Sequence, residues 1–112
     1  MAEGAGCGFT LACMIRHVAI LLLKPETTAE QIAGLESALR ALRTPGLISL
    51  SCGRDLGLRA GETPRNTSFA IVADLEDSAA FHRYDTDPDH HQLRQRYTVP
   101  MSLSAVRAQY EI

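Results

Sequence analysis

The chain has 112 residues, 46% of them hydrophobic and 21% charged, and a formal net charge of −2. This length suits one domain, and the composition excludes a disordered chain or a disulfide-dense scaffold. Without a basic surface the protein cannot neutralise many phosphates, so no nucleic-acid partner is expected. Aromatic residues make up 5% of the chain and tryptophan is absent, which predicts a small aliphatic core. A second chain that covers more apolar surface would stabilise such a core.

The first thirteen residues are rich in glycine and alanine and lack the basic start of a secretion signal. We expect 1–13 to form a disordered or extended segment ahead of one domain at 14–112. The apolar run at 18–23 is far shorter than the roughly 20 residues that cross a bilayer, so no membrane partner is expected. The three cysteines have neither CxxC nor metal-binding spacing, which favours a reduced, cytoplasmic protein.

The first half of the chain predicts a strand, a helix and a strand. Residues 15–24 form the first strand, because β-branched and leucine residues fill both faces, and His17 lies among apolar neighbours on one of them. Thr28 and Gln31 can form a capping box at the start of the helix. The apolar stripe of this helix consists of Ile32, Leu35, Leu39 and Leu42. Thr-Pro-Gly at 44–46 ends it, and alternation predicts the next strand at 47–56.

The second half predicts a strand, a helix, an irregular helical stretch and a last strand. A glycine-rich loop precedes the half-buried strand at 67–75, and Asp77 or Ser78 begins a helix that ends before Pro88. Short helical pieces are expected in 89–104, and alternation over 106–112 predicts a strand with one polar face. The order β-α-β-β-α-β is that of the ferredoxin-like α+β fold. Its open sheet face needs a cover, and a homodimer about a two-fold axis supplies one.

Several segments resemble those of one protein family. They are Met-Ile-Arg-His-Val-Ala-Ile-Leu-Leu-Leu-Lys at 14–24, the helix after Thr-Ala-Glu-Gln at 28–31, Pro-Gly at 45–46, Gly-Arg-Asp-Leu-Gly at 53–57, and the stretch from Tyr84 to His90. The family is the stress-responsive dimeric α+β barrel, or Dabb, domain. The resemblance covers about 14–112 and implies a dimeric α+β barrel, no obligatory cofactor, and a cavity between the sheet and the helices.

The resemblance to olivetolic acid cyclase-type members of this family implies a set of site residues. Those members close a linear polyketide by an aldol-type condensation, using a histidine on the first strand and a tyrosine and a histidine around a His-Pro-x-His turn. The matching positions here are His17, Tyr84 and His90. The turn reads Asp-Pro-Asp-His at 87–90, so Asp87 stands where many members carry a histidine.

Aldol chemistry needs a base that removes a proton next to a carbonyl and a donor that stabilises the enolate. Imidazole and phenol can supply these groups, so His90 is the candidate base, Tyr84 the donor and His17 a supporting group. An apolar remainder of the cavity would suit an apolar or polyketide-like metabolite. The residues expected to supply it are Ile15, Leu21, Phe69, Ile71 and Phe81.

Each candidate also has a purely structural interpretation. His17 could be a core histidine bonded to a backbone carbonyl or a buried water, Tyr84 a helix-face aromatic with its hydroxyl in water, and His90 a turn residue bonded to Asp87 or Asp89. The protein would then be a non-enzymatic stress-responsive structural protein with a packed cavity. A cofactor-free monooxygenase of the same fold is a third hypothesis, which the absence of tryptophan disfavours.

No metal and no cofactor are predicted. The only grouping with metal-ligand chemistry is His90 and His91 with Asp87 and Asp89. Adjacent histidines point in different directions and the carboxylates lie on a turn, which disfavours a coordination sphere.

Overall fold

The structure is a computed structural model that describes residues 13–59 and 68–112. Most of the predicted N-terminal segment lies outside these ranges. So do residues 60–67, which include part of the predicted loop and the first residue of the strand predicted at 67–75. The elements are β1 (Ile15–Leu23), α1 (Ala29–Arg40), β2 (Leu47–Arg54), β3 (Ser68–Leu75), α2 (Ser78–Thr86), α3 (Pro88–Leu93), a π-helical turn (Arg94–Thr98), α4 (Val99–Met101) and β4 (Ser102–Glu111). No described helix has the length and apolar character needed to cross a bilayer.

The four strands form one antiparallel sheet in the order β2-β3-β1-β4. This is the ferredoxin-like arrangement, so the fold predicted from the element order is confirmed. The central strand β1 aligns His17 with Ala73 of β3 on one side and with Gln109 of β4 on the other. Residues opposite each other in a sheet share a face, so Gln109 lies on the same face as His17.

The ends of α1 follow the capping rules. The Gln31 backbone N–H donates to the Thr28 hydroxyl at 3.1 Å, and the Gln31 side-chain oxygen accepts from the Thr28 N–H at 2.8 Å. At the other end the Arg43 guanidinium donates to the carbonyls of Arg40 and Leu42, both at 2.8 Å. The predicted capping box is therefore present, although the regular helix ends at Arg40, before the predicted stop.

The helices cover one face of the sheet and form the core with it. The buried core residues of the sheet are Ala19, Leu21, Leu23, Phe69, Ile71, Ala73 and Leu75, and those of the helical side are Ile32, Leu35, Leu39, Leu42, Ala80, Tyr84, Leu93 and Met101. No described element covers the opposite sheet face, where Ile20 is 42% and Val106 is 70% exposed. The predicted need for a cover thus corresponds to a real apolar surface.

The last strand differs from its prediction in extent and orientation. It begins at Ser102 rather than near 106. Its apolar residues Val106 and Ala108 pair with Ile20 and Val18 on the open face, whereas Arg107 and Gln109 share the helix-covered face with Ala19 and His17. Because β4 is the edge strand, its helix-covered face borders a cleft and not the packed core, and polar side chains are accommodated there.

Candidate active site

A cleft lies between the β1 and β4 side of the sheet and the helical stretch that follows α2. Its inner compartment has a volume of about 40 Å³, which is room for a few water molecules or a single carbonyl group. The polar side chains that line it are His17, Tyr84, Asp85, His90, Arg94, Thr98 and Arg107. The structure therefore brings together all three side chains that the sequence predicted for the site.

His90 is anchored by the backbone next to it. Its Nδ1 lies 2.8 Å from the carbonyl oxygen of Tyr84. A carbonyl oxygen only accepts hydrogen bonds, so Nδ1 carries the proton and Nε2 is left with its lone pair. The Arg94 Nη1 atom, at 3.5 Å from Nδ1, is too far away to compete with the carbonyl as a hydrogen-bond partner. Burial lowers the pKa of His90, more than the hydrogen bond to the Tyr84 carbonyl raises it. This imidazole is therefore neutral at physiological pH and has the form of a general base.

His17 has the opposite arrangement of its ring nitrogens. The Gln109 amide nitrogen donates to His17 Nδ1 at 2.8 Å. With Nδ1 as acceptor, the proton of the neutral ring resides on Nε2, which makes that edge of the ring a donor. Burial lowers the pKa of His17, with smaller contributions from His90 and Arg107. His17 thus has the form of a neutral hydrogen-bond donor for an oxygen atom.

Tyr84 lies close to both imidazoles. Its ring centroid is 4.2 Å from that of His90 and 6.1 Å from that of His17. The residue is only 1% exposed, and burial raises the pKa of the phenol to about 12. No described residue forms a hydrogen bond with the Tyr84 hydroxyl. A neutral buried phenol of this kind is suited to donate to a ligand oxygen.

The partners and burial expected if these residues had a purely structural role differ from those in the structure. The ring of His17 bonds to a side-chain amide and not to a backbone carbonyl. Tyr84 is buried, so its expected position on a water-exposed helix face is wrong. For His90 it is the backbone N–H, not the ring, that bonds to the Asp87 carboxylate, at 3.0 Å. Asp87 thereby caps α3.

The predicted apolar lining is found in part. Leu21 and Ile71 line the cleft, together with Ala19. Phe81 is not part of the cleft wall and packs against His17 instead, with ring centroids 5.3 Å apart. Phe69 belongs to the core, where it is fully buried.

Several polar residues in or next to the cleft were not predicted. Gln109 and Arg107 could have been identified by pairing the last strand with the first in ferredoxin-like order, which sets them opposite His17 and Ala19. Arg94 follows His90 by four residues, the spacing at which helical side chains share a face. Asp85 accepts two hydrogen bonds from Arg94. Arg94 Nη1 donates to Asp85 Oδ1 at 3.4 Å, and Arg94 Nη2 donates to the Asp85 backbone carbonyl at 2.7 Å.

An outer groove of about 200 Å³ adjoins the inner compartment. The two spaces share Leu21, Arg94, Thr98 and Arg107 in their walls. The π-helical turn Arg94–Thr98 supplies two of these residues, and such widened turns occur often at functional sites. The inner compartment therefore continues into a space large enough for the rest of a small molecule.

Within residues 13–59 and 68–112, no three histidine, cysteine or carboxylate side chains are grouped so as to hold a metal ion. His91, which was considered with His90, is exposed on the outside of α3. The cleft is therefore described by its imidazole, phenol and guanidinium groups.

Comparison with known proteins places this geometry in context. No curated protein matches the chain. A dimeric ferredoxin-like protein of unknown function from Thermobifida fusca YX is 30% identical, with a TM-score of 0.75, 94% of this chain covered and 97% of that one. Hydroxynitrile lyase from Passiflora edulis is 19% identical, with a TM-score of 0.74 and coverages of 88% and 93%. A dimeric protein of unknown function with a ferredoxin-like fold from Bacteroides fragilis NCTC 9343 is 18% identical, with a TM-score of 0.72 and coverages of 88% and 96%.

The family model described as the stress responsive A/B barrel domain (Dabb) matches residues 15–112. That match begins at the first residue of β1 and extends to the end of the chain. The resemblance found in the sequence is thereby confirmed, and the chain belongs to the stress responsive A/B barrel domain family.

Proposed function

We propose that this protein binds a small carbonyl metabolite of apolar or polyketide-like character in the cleft and catalyses aldol-type cyclisation or the reverse lyase reaction. The observation that carries the proposal is the pair of neutral imidazoles in one cleft with opposite hydrogen-bonding states. His90 offers a lone pair on Nε2, and His17 offers an N–H there. The Tyr84 phenol, close to both rings, adds a second donor.

In the proposed cyclisation the substrate carbonyl oxygen accepts hydrogen bonds from Tyr84 and His17. His90 Nε2 removes a proton from the neighbouring carbon, and the electron pair moves onto the carbonyl oxygen as an enolate. The enolate carbon then forms a bond with a second carbonyl carbon, whose oxygen takes the proton back from His90. The reverse sequence breaks that carbon–carbon bond, so one constellation serves cyclase or lyase chemistry.

Two findings support the choice of reaction class. The imidazolium formed on His90 keeps its Nδ1–H bond to the Tyr84 carbonyl, and Asp85 offsets part of the unfavourable effect of the nearby Arg94 charge on it. The fold is also compatible with lyase chemistry, since the Passiflora edulis protein of this fold is a hydroxynitrile lyase. We infer in addition a homodimer, because the open sheet face is apolar and two of the similar structures are dimeric. The cytoplasmic location expected from the cysteine pattern remains part of the proposal.

The test is turnover of a linear tetraketide thioester by the purified protein. His90→Ala is expected to lower the rate about 100- to 10,000-fold, the usual contribution of a general base, and Tyr84→Phe to lower it without loss of folding. His91→Ala is the matched control, since this adjacent histidine is exposed on α3. If His90→Ala and Tyr84→Phe turn over the thioester as fast as the unmodified protein, the assignment of base and donor is wrong.

A non-enzymatic structural role is the second candidate function. The observation in its favour is that the inner compartment is only about 40 Å³ and that His17 and His90 are only 7% and 8% exposed. In that case His90→Ala would lower the thermal unfolding temperature, and the unmodified protein would neither bind nor convert carbonyl compounds. Hydrogen–deuterium exchange at the α-carbon of a β-diketone, followed by NMR, distinguishes the two functions directly.

A further inference from the structure

Two guanidinium groups line the cleft, and they differ in their partners. The Arg94 guanidinium donates to both the side-chain carboxylate and the backbone carbonyl of Asp85. Arg107 lies in the walls of both the inner compartment and the outer groove. In the described part of the chain no carboxylate lies within ion-pair distance of Arg107. Its positive charge therefore has no internal counterpart at the junction of the two spaces.

The position of Arg107 on the strand directs it to this junction. It pairs with Ala19 across β1 and β4, two residues away from Gln109, which holds His17. It is also near enough to His17 to disfavour a positive charge on that ring. The cleft therefore carries a net charge of one positive unit. Asp85 offsets Arg94 and the two imidazoles are neutral, so this charge is that of Arg107.

A second polar group of the outer groove lacks a partner. The Ser102 hydroxyl oxygen is buried and makes no hydrogen bond, and Ser102 lines the outer groove together with Arg107. Buried hydroxyl groups are normally paired, because an unpaired one costs free energy. Burial shields the Ser102 oxygen from the groove, so Arg107 is the group that a ligand with oxygen atoms would meet there.

We propose that the cleft selects a monoanionic oxo-carboxylic acid, whose carboxylate is bound by Arg107 and whose ketone occupies the inner compartment. The position given to the ketone rests on the function proposed above. The guanidinium fork matches the geometry of a carboxylate and can donate two parallel hydrogen bonds to it. Arg107 is then a specificity-determining residue that distinguishes acids from their neutral esters.

The experiment compares 5-oxohexanoate with its methyl ester by titration followed by NMR of the ¹⁵N-labelled protein. The unmodified protein is expected to bind the acid more tightly than the ester. Arg107→Gln is expected to weaken acid binding about 10- to 100-fold, the range for a charge-assisted hydrogen bond, and to leave ester binding unchanged. Arg96→Gln is the matched control, because it removes the same charge from an exposed residue of the π-helical turn, and Arg96 lines neither the inner compartment nor the outer groove.

Three results would overturn the inference. They are no preference for the acid in the unmodified protein, an unchanged preference in Arg107→Gln, and an equal loss of preference in Arg96→Gln. His90→Ala separates this inference from the catalytic proposal. If His90→Ala keeps the preference for the acid and also exchanges α-protons at the original rate, the anion site is supported and the catalytic role of His90 is wrong. If exchange depends on His90 but acid and ester react alike, the catalytic role is supported and the anion site is wrong.

Discussion

The two buried histidines differ at the level of single hydrogen bonds. His90 Nδ1 faces a carbonyl that can only accept, and His17 Nδ1 faces an amide nitrogen that can only donate. Each partner fixes one nitrogen of its ring and so defines the role of the other. His90 is bonded to a backbone group, the Tyr84 carbonyl, whereas His17 is bonded to a side chain, that of Gln109. A substitution at Gln109 should therefore alter His17 alone.

The pH dependence of stability follows from these residues. Burial lowers the pKa of both His17 and His90 below the ordinary histidine value of 6.5. As the pH falls below about 6.5, the unfolded chain binds protons that the folded chain does not, so stability decreases towards acid until the folded-state pKa values are passed. We predict that the free energy of unfolding, measured by urea titration, decreases between pH 7.5 and pH 5.

Substitution of single histidines tests whether the buried rings of His17 and His90 cause this pH dependence. His90→Gln and His17→Gln should each flatten the curve, whereas His91→Gln, at an exposed position, should leave its slope unchanged. A slope between pH 7.5 and pH 5 that is the same in all three variants as in the unmodified protein would contradict the assignment. Comparing slopes keeps the result independent of any overall loss of stability in the variants.

Among the elements, the junctions hold the site in place more than the interiors do. The helical stretch after α2 changes from α-helix to π-helix and back before β4, and this carries Arg94 and Thr98 into the cleft wall. Asp87 starts that stretch by capping α3. At the other end of the sheet, Gly46 links α1 to β2 with a φ of +90° and lies against α2.

The turn at Gly46 gives a prediction for stability. A Cβ at this position would overlap the Cβ of Ala80, and the positive φ disfavours any side chain. Gly46→Ala should therefore lower the free energy of unfolding by about 1–3 kcal/mol, as backbone strain and overpacking do. Gly53→Ala is the matched control, because a Cβ there meets nothing within 4 Å. Equal stability of the two variants in urea titration would contradict this account.

The whole molecule presents two sheet faces of different character. One is covered by helices, and the other leaves Ile20, Val106 and Tyr110 exposed. Within that open face Arg16 and Asp74 form a bidentate ion pair with two contacts of 2.8 Å, which lowers the pKa of Asp74. An apolar surface with one fixed polar pair suits a second copy of the same surface, since a two-fold contact is self-complementary.

The oligomeric state tests this account of the open face. We predict a dimer at micromolar concentration in sedimentation equilibrium, and a monomer for Ile20→Glu, which buries an unpaired charge in the contact. Val99→Glu makes the same change at an exposed apolar residue that lines the outer groove and does not lie on the open face, and it should remain dimeric. A monomeric unmodified protein, or a dimeric Ile20→Glu, would show that the open face is not the contact.

The sequence by itself determined the local features of this protein: the capping box of α1, the stop before Pro88, the order of elements and the family to which the chain belongs. It also led to the prediction of His17, Tyr84 and His90 as site residues, because the family resemblance implies these positions on a predicted strand and turn. Only the tertiary structure decided their partners. Gln109 lies 92 residues from His17 in the chain, and no local rule fixes the register between strands so far apart. The same pairing turned the polar face of β4 towards the helices and brought Arg107 to the cleft, because at the edge of a sheet packing, not alternation alone, determines which face is buried.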